Sequence, residues 1–425
     1  MVMLLCVLFK PATARADVVL DWNAIAVNTA IANGQSPFSQ ARFAAIVQLA
    51  VFEAVNAITG DYEPYLGTVH AAPGASADAA AITAAYRVLR TYFSGSAATL
   101  DPAYASALAL IPDGTPKADG IKAGEAAAKA MIDLRASDGS APPLFKTPGI
   151  ATPGEWQVTP SCPRVPPVVG PQLGNFYQWQ NVKPLGIPSA ADFLLDPPPA
   201  LTSNRYAKDY NEVKTVGGGV TNPARPQDRA DGARFYRDAS PTLALNMAAR
   251  QVAVSQGRSM SDNARALALL NMAISDSLVA SFLTKYTYNF WRPETAIKAV
   301  DTDANSDGNS KTDPDPTFKP YILTPCFPSY PSNHASGTNG GAEVLRRLYG
   351  AGGHAITLSN PASLDSVVAA MTLQYTTFKQ ITDDVDDARV YGGIHFRFDQ
   401  EAGGRLGRDV ATYVYKNNLR PVHPE

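Results

Sequence analysis

Apolar residues recur at three- and four-residue spacing along most of the chain, a period that predicts helices. Within residues 37–58, Phe43, Ile46, Val47, Leu49, Ala50 and Val51 mark a core helix. Ala-rich runs carry the same spacing over 76–92, 101–110 and 116–135. There it stops. From about 137 to 200 prolines are dense, punctuated by Trp156, Phe176, Tyr177 and Trp179. So long an irregular stretch, with that many aromatics, reads as an ordered cover. Helical spacing resumes over 205–213, 226–236 and 241–255. Ser261 and Asp262 look like the cap of a long helix whose stripe runs through Ala264, Leu267, Leu270, Ile274, Leu278 and Phe282. Pro293 pushes Arg292 out of helical geometry and ends that element. A further helix is expected over 342–349. The expectation is an all-α fold with long Pro-rich loops. Residues 17–240 form an N-terminal helical half that includes the cover, and 241–425 form a C-terminal helical half that holds the chemistry.

Composition narrows the partners. The chain has 425 residues, a formal charge of −2 and 17% charged residues. Near-neutrality without a basic run argues against nucleic acid. Residues 1–9 are apolar and precede Ala14-Arg15-Ala16, an A-x-A pattern before Asp17. Residues 1–16 therefore read as a signal peptide, and the protein as exported, periplasmic or secreted. Its most apolar later stretch, 41–58, contains Arg42, Gln48, Glu53 and Asn56, so no membrane span is expected in the mature chain. Removal of the signal leaves Cys162 and Cys326, either a pair or two buried thiols.

Three blocks carry candidate chemistry. Lys285 and Arg292 are seven residues apart, close to two helical turns, in an otherwise aromatic segment. Pro331-Ser332-Asn333-His334 stands where a helix begins, and a helix start is a natural anion site. Arg389 precedes His395 by six residues, and Asp399 follows His395 at i+4, placed to orient the imidazole. Each block has an ordinary reading of its own: solvated cations, a helix cap, a helical ion pair. Together they supply three cations, neutral donors and two imidazoles, the set a tetrahedral or trigonal-bipyramidal oxyanion needs.

In order and spacing, Lys285-x6-Arg292-Pro293, Pro331-Ser332-x-His334 and Arg389-x5-His395-x3-Asp399 resemble the signature of the vanadium-dependent haloperoxidase and type 2 phosphatidic acid phosphatase superfamily. The helix over 42–57, Asn289-Phe290-Trp291-Arg292-Pro293 and the segment 393–399 resemble its bacterial haloperoxidase branch. The resemblance implies two packed four-helix-bundle-like halves, with the oxyanion in the second. It implies vanadate bonded to His395 and held by Lys285, Arg292, Arg389, the Ser332 hydroxyl and the Asn333 N–H, with His334 as acid/base. The substrates would be hydrogen peroxide, a halide and an organic acceptor; self-association stays open. The same residues would serve an exported acid phosphatase through a phosphohistidine at His395, or an oxyanion-binding relative without catalysis. Phe327, seven residues before His334, is aromatic, as in the chloride-oxidising fungal members.

Two positions depart from the pattern. Asn333 replaces the usual glycine, keeping the N–H while adding a side chain that crowds the oxyanion or donates to it. Ala388 replaces the usual serine before the arginine. Separately, Asp301, Asp303, Asn305 and Asp307 alternate like the first half of a calcium loop, but Pro314 stands where its twelfth ligand would be, which favours a solvated acidic loop over a weak cation site. The acidic run 383–387 reads the same way, with one carboxylate as a candidate holder of Arg389. His70, His354 and His423 receive no role.

Overall fold

The structure is a computed structural model that describes residues 17–149, 152–165, 169–299 and 307–422. The expected signal peptide, residues 1–16, lies outside them. Asp17 accepts the Leu20 N–H and so caps α1 (Val18–Ala32). Serine caps then start α2 (Pro37–Thr59) and α3 (Ala77–Tyr92), and α4 (Ala97–Ala109) and α5 (Thr115–Arg135) complete the first half's main helices. Helix α1 was not foreseen. It buries Val19, Leu20, Trp22, Asn23, Ala26 and Val27 on several faces, which blurs the helical period.

After the cover come α6 (Asn204–Val216), α7 (Gln227–Asp238), α8 (Pro241–Ser255) and the long α9 (Met260–Tyr288). Helix α9 starts earlier than expected, because its cap is Ser259, whose hydroxyl accepts the Asp262 N–H. It also ends earlier, where Asn289 turns left-handed at φ 48°. Helices α10 (Pro293–Lys298), α11 (Asn333–Tyr349), α12 (Ser366–Ala369), α13 (Phe378–Tyr391) and α14 (Arg397–Asn417) follow. Helix α9 packs against α2 on the first half and against α11 and α14 on the second, and one continuous apolar core links them.

Among the described residues the fold is all-α apart from one antiparallel hairpin, β1 (Gly352–Ser359) with β2 (Thr372–Thr377). Its inward residues His354, Ile356 and Leu358 alternate with exposed ones, a period of two in a stretch with no helical reading. Helices α2 and α9 are long and apolar enough to cross a membrane, but most of each is buried among other helices. Burial on every side accounts for their composition.

Among the described residues of the segment over 137–200, short 3-10 turns form at Tyr177–Asn181 and Ala190–Phe193. Three devices pin it beside the second half. A disulfide joins Cys162 to Cys326, settling the alternative left open above. Backbone bonds run from Trp156 N to Asn289 O (2.7 Å) and from Trp291 N to Gly154 O (3.0 Å). Asp276, fully buried on α9, accepts the N–H groups of Leu185, Gly186 and Ile187 at 2.8, 2.6 and 3.0 Å. Asparagine at 276 can offer one acceptor where the carboxylate offers two. Asp276→Asn is expected to cost about 2 kcal/mol of stability, read from denaturant unfolding. Burial outweighs those three bonds and pushes the Asp276 carboxyl up to about 6. The folded chain thus holds this proton more tightly than the unfolded one. Its contribution to stability is full below pH ~4 and fades as pH rises through about 6, a slope the Asn variant should lack.

Candidate functional site

The three blocks converge, though not as one helix face. Lys285 lies in the last turn of α9, whereas the left-handed turn at Asn289 carries the chain to Arg292, the extended residue before α10. Ser332 caps α11, accepting the Ala335 N–H (3.3 Å), and Ser336 N makes the first helical bond to Ser332 O. The N–H groups of Asn333 and His334 precede that bond, at the positive end of the helix. Arg389 ends α13, and a Gly392-Gly393 turn leads to His395 and α14. Gly393 has φ +80°, and a Cβ there would lie 2.3 Å from Gly217 O, so only glycine fits. Close packing also seats α14 on α11: a Cβ at Gly407 would fall 2.2 Å from Ser336 O.

Lys285 and Arg292 are wholly buried and Arg389 nearly so. None of the three forms an ion pair among the described residues. Lys285 Nζ donates to Pro328 O (2.9 Å), Ser329 O (2.7 Å) and Pro331 O. Arg292 donates Nε–H to Phe327 O (2.8 Å) and Nη1–H to Ile394 O (2.9 Å), and Nη1 lies 2.9 Å from His395 Nε2. Arg389 Nη1 donates to Tyr236 O (3.0 Å). Phe327 packs between two of these cations, 5.4 Å from Lys285 Nζ and 5.0 Å from the Arg292 guanidinium carbon. Burial, aided by mutual repulsion, drives the Lys285 ammonium well below its usual range and brings Arg292 down to about 9; burial alone does the same to Arg389.

His395 is fixed on both sides. A guanidinium only donates, so Nε2 facing Arg292 must carry the lone pair. The proton then sits on Nδ1, which donates to Asp399 Oδ2 at 2.8 Å. Asp399 Oδ2 also accepts from Ser329 Oγ (2.5 Å) and Phe396 N (3.1 Å). Burial raises the Asp399 carboxyl to about 7 despite these donors and the nearby cations. Burial followed by the surrounding cations pushes both His395 and His334 well below the usual imidazole range. His334 keeps some exposed surface and hydrogen-bonds the Tyr236 backbone.

The donor set fits an oxyanion. Arg292 Nη2, Arg389 Nε and Asn333 Nδ2 are all buried without a hydrogen-bond partner. An unmet buried donor costs about 1–3 kcal/mol, and three contributed by the three blocks are explained by an anion that accepts from them.

Residues 265–424 match the family described as the VCPO second helical-bundle domain. The site residues, Lys285 to Asp399, lie within that span. The site thus lies in a segment similar to a VCPO second helical-bundle domain. The chain also aligns with vanadium chloroperoxidase of Curvularia inaequalis, 28% identical over 182 residues, covering 37% of this chain and 30% of that protein's length. Among solved structures, a bacterial vanadium-dependent iodoperoxidase superposes with TM-score 0.77 at 22% identity, over 97% of this chain and 100% of that one. A holo-type bacterial vanadium-dependent chloroperoxidase superposes with TM-score 0.68 at 17% identity, over 96% and 94%. At those identities the likeness concerns the fold, which extends beyond the VCPO-type bundle into the N-terminal half.

Several expectations change. Among the described residues no carboxylate of the acidic run pairs with Arg389: Asp383 pairs with Lys379, Asp384 with Arg229, and Asp387 with Arg229 and Arg397. Of the candidate cation loop, Asp301, Asp303 and Asn305 lie outside the described residues. Asp307 is occupied, accepting from Asn309 N and Thr312 Oγ1. Ser329 and Tyr236 were not anticipated as site residues. Ser329 stands two residues before the second block, and Tyr236 acts through its carbonyl, which no side-chain pattern signals.

Proposed function

We propose that this chain is a vanadium-dependent haloperoxidase-like enzyme that oxidises halide with hydrogen peroxide. The observation that carries this reading is that each of the three blocks leaves a buried donor without a partner, beside an imidazole whose Nε2 lone pair faces Arg292 Nη1. Vanadate would be held by His395, with Arg292, Arg389, Asn333 and the start of α11 meeting its oxygens and Lys285 adding charge. When bound, it supplies Lewis-acid activation of peroxide at a fixed oxidation state.

The chain's own residues do the rest. Asp399 keeps the His395 proton on Nδ1, and Ser329 holds Asp399 in place. Burial and the neighbouring cations keep His334 neutral, able to accept a proton from peroxide and return it to the departing oxygen. Phe327 and the cover exclude water from Lys285 and Arg292, which strengthens their pull on negative charge. An exported location is supported by the Cys162–Cys326 disulfide, since such bonds persist in oxidising compartments.

The binding half of this reading is tested by titrating metal-free protein with vanadate in a calorimeter. One equivalent should bind, and inorganic phosphate should compete for the same place. Absence of binding at millimolar vanadate would overturn it.

A further inference from the structure

The residue that departs from the family pattern, Asn333, has a specific attachment. Its Oδ1 accepts from Ser281 Oγ at 2.6 Å, in a pair that is wholly buried. Ser281 lies one turn of α9 before Lys285, so the two share a helix face. Lys285 in turn bonds Pro331 O, two residues before Asn333. The amide is thus tied to the wall that carries the lysine. With its oxygen fixed there, Nδ2 is left buried and without a partner. Packing alone gives no reason for an amide at this position, since a buried donor that meets nothing is a penalty.

We propose that the Asn333 side-chain amide is an additional oxyanion donor, oriented by Ser281, which strengthens this site's hold on tetrahedral oxyanions. This rests on the oxyanion-site reading above. Ser281 acts as a positioning residue through Asn333. The helix-start N–H at 333 is unchanged by glycine, so the comparison isolates the side chain.

The test measures vanadate and phosphate affinity of metal-free protein by calorimetry for the wild type, Asn333→Gly, Ser281→Ala and the double variant. Circular dichroism melts check that each is folded. Asn333→Gly should weaken both anions about tenfold, the order expected for one donor to a charged acceptor. Ser281→Ala should weaken them about threefold, and should have no further effect once Asn333 is glycine. Equal or tighter binding by Asn333→Gly would show that the side chain crowds the anion, and overturn the proposal. Equal Ser281→Ala losses with and without Asn333 would remove the positioning role. A wild type that binds neither anion would instead refute the oxyanion site itself.

Discussion

His395→Ala should leave peroxide-dependent halide oxidation at background, a loss of at least about a thousandfold in kcat, or roughly 4 kcal/mol of barrier. The expectation follows from what the imidazole provides. Nε2 is the lone pair among the buried cations, and alanine deletes it. The backbone around the residue stays in place, because Arg292 also bonds Ile394 O and Phe327 O, and Asp399 still accepts from Ser329 and Phe396. The variant should therefore fold, and vanadate should still be attracted by the three cations, but more weakly. Kinetics at saturating vanadate separate the two effects. Retention of a tenth or more of wild-type kcat would mean that the chemistry is centred elsewhere.

Asp399→Asn should come second, lowering kcat by about a hundred- to ten-thousandfold, in the range known when an imidazole is forced into the wrong tautomer. Above about pH 7, where it is ionised, the carboxylate presents only acceptors to His395, Ser329 and Phe396. An asparagine can turn its NH2 towards His395 Nδ1, which then becomes the acceptor and moves the proton to Nε2. That proton would occupy the lone pair and face the Arg292 guanidinium. Shape is nearly conserved, so KM for peroxide should change far less than kcat. A variant with kcat within threefold of wild type would contradict the tautomer argument.

The sequence shows the site and the fold to different depths. Lys285, Arg292, Ser332, His334, Arg389, His395 and Asp399 were legible because charge and imidazole recur at fixed spacings, and the structure gathers them. Their geometry was less so. The spacing of Lys285 and Arg292 suits one helix face, yet the left-handed Asn289 breaks the helix between them. Ser329 and Tyr236 matter through contacts to Asp399 and Arg389 that span 70 and 153 residues, and a local pattern carries no trace of such pairs. The same holds for Asp276, an acidic residue in an apolar stripe whose partners are backbone groups of the cover. Helix α1 and the hairpin escaped for opposite reasons: α1 is buried on too many faces to show a period, while the hairpin is short and alternates. The Pro-rich stretch read as a cover from its prolines and aromatics, but its anchorage through Asp276, the disulfide and the Trp156–Asn289 bond left no trace in the local pattern.

Departures from the family pattern also gained physical content. Ala388 is buried in the apolar core. Asn333 is bonded through its Oδ1 to Ser281 on α9.

The most direct measurement is a paired turnover assay on metal-free protein, with and without added vanadate. One arm follows peroxide-dependent halogenation of a phenolic reporter, and the other hydrolysis of an aryl phosphate. The account predicts halogenation that appears only with vanadate and saturates near one equivalent, with phosphate hydrolysis small and suppressed by the same addition. Phosphate release inhibited by vanadate, with no halogenation at any vanadate concentration, would contradict it.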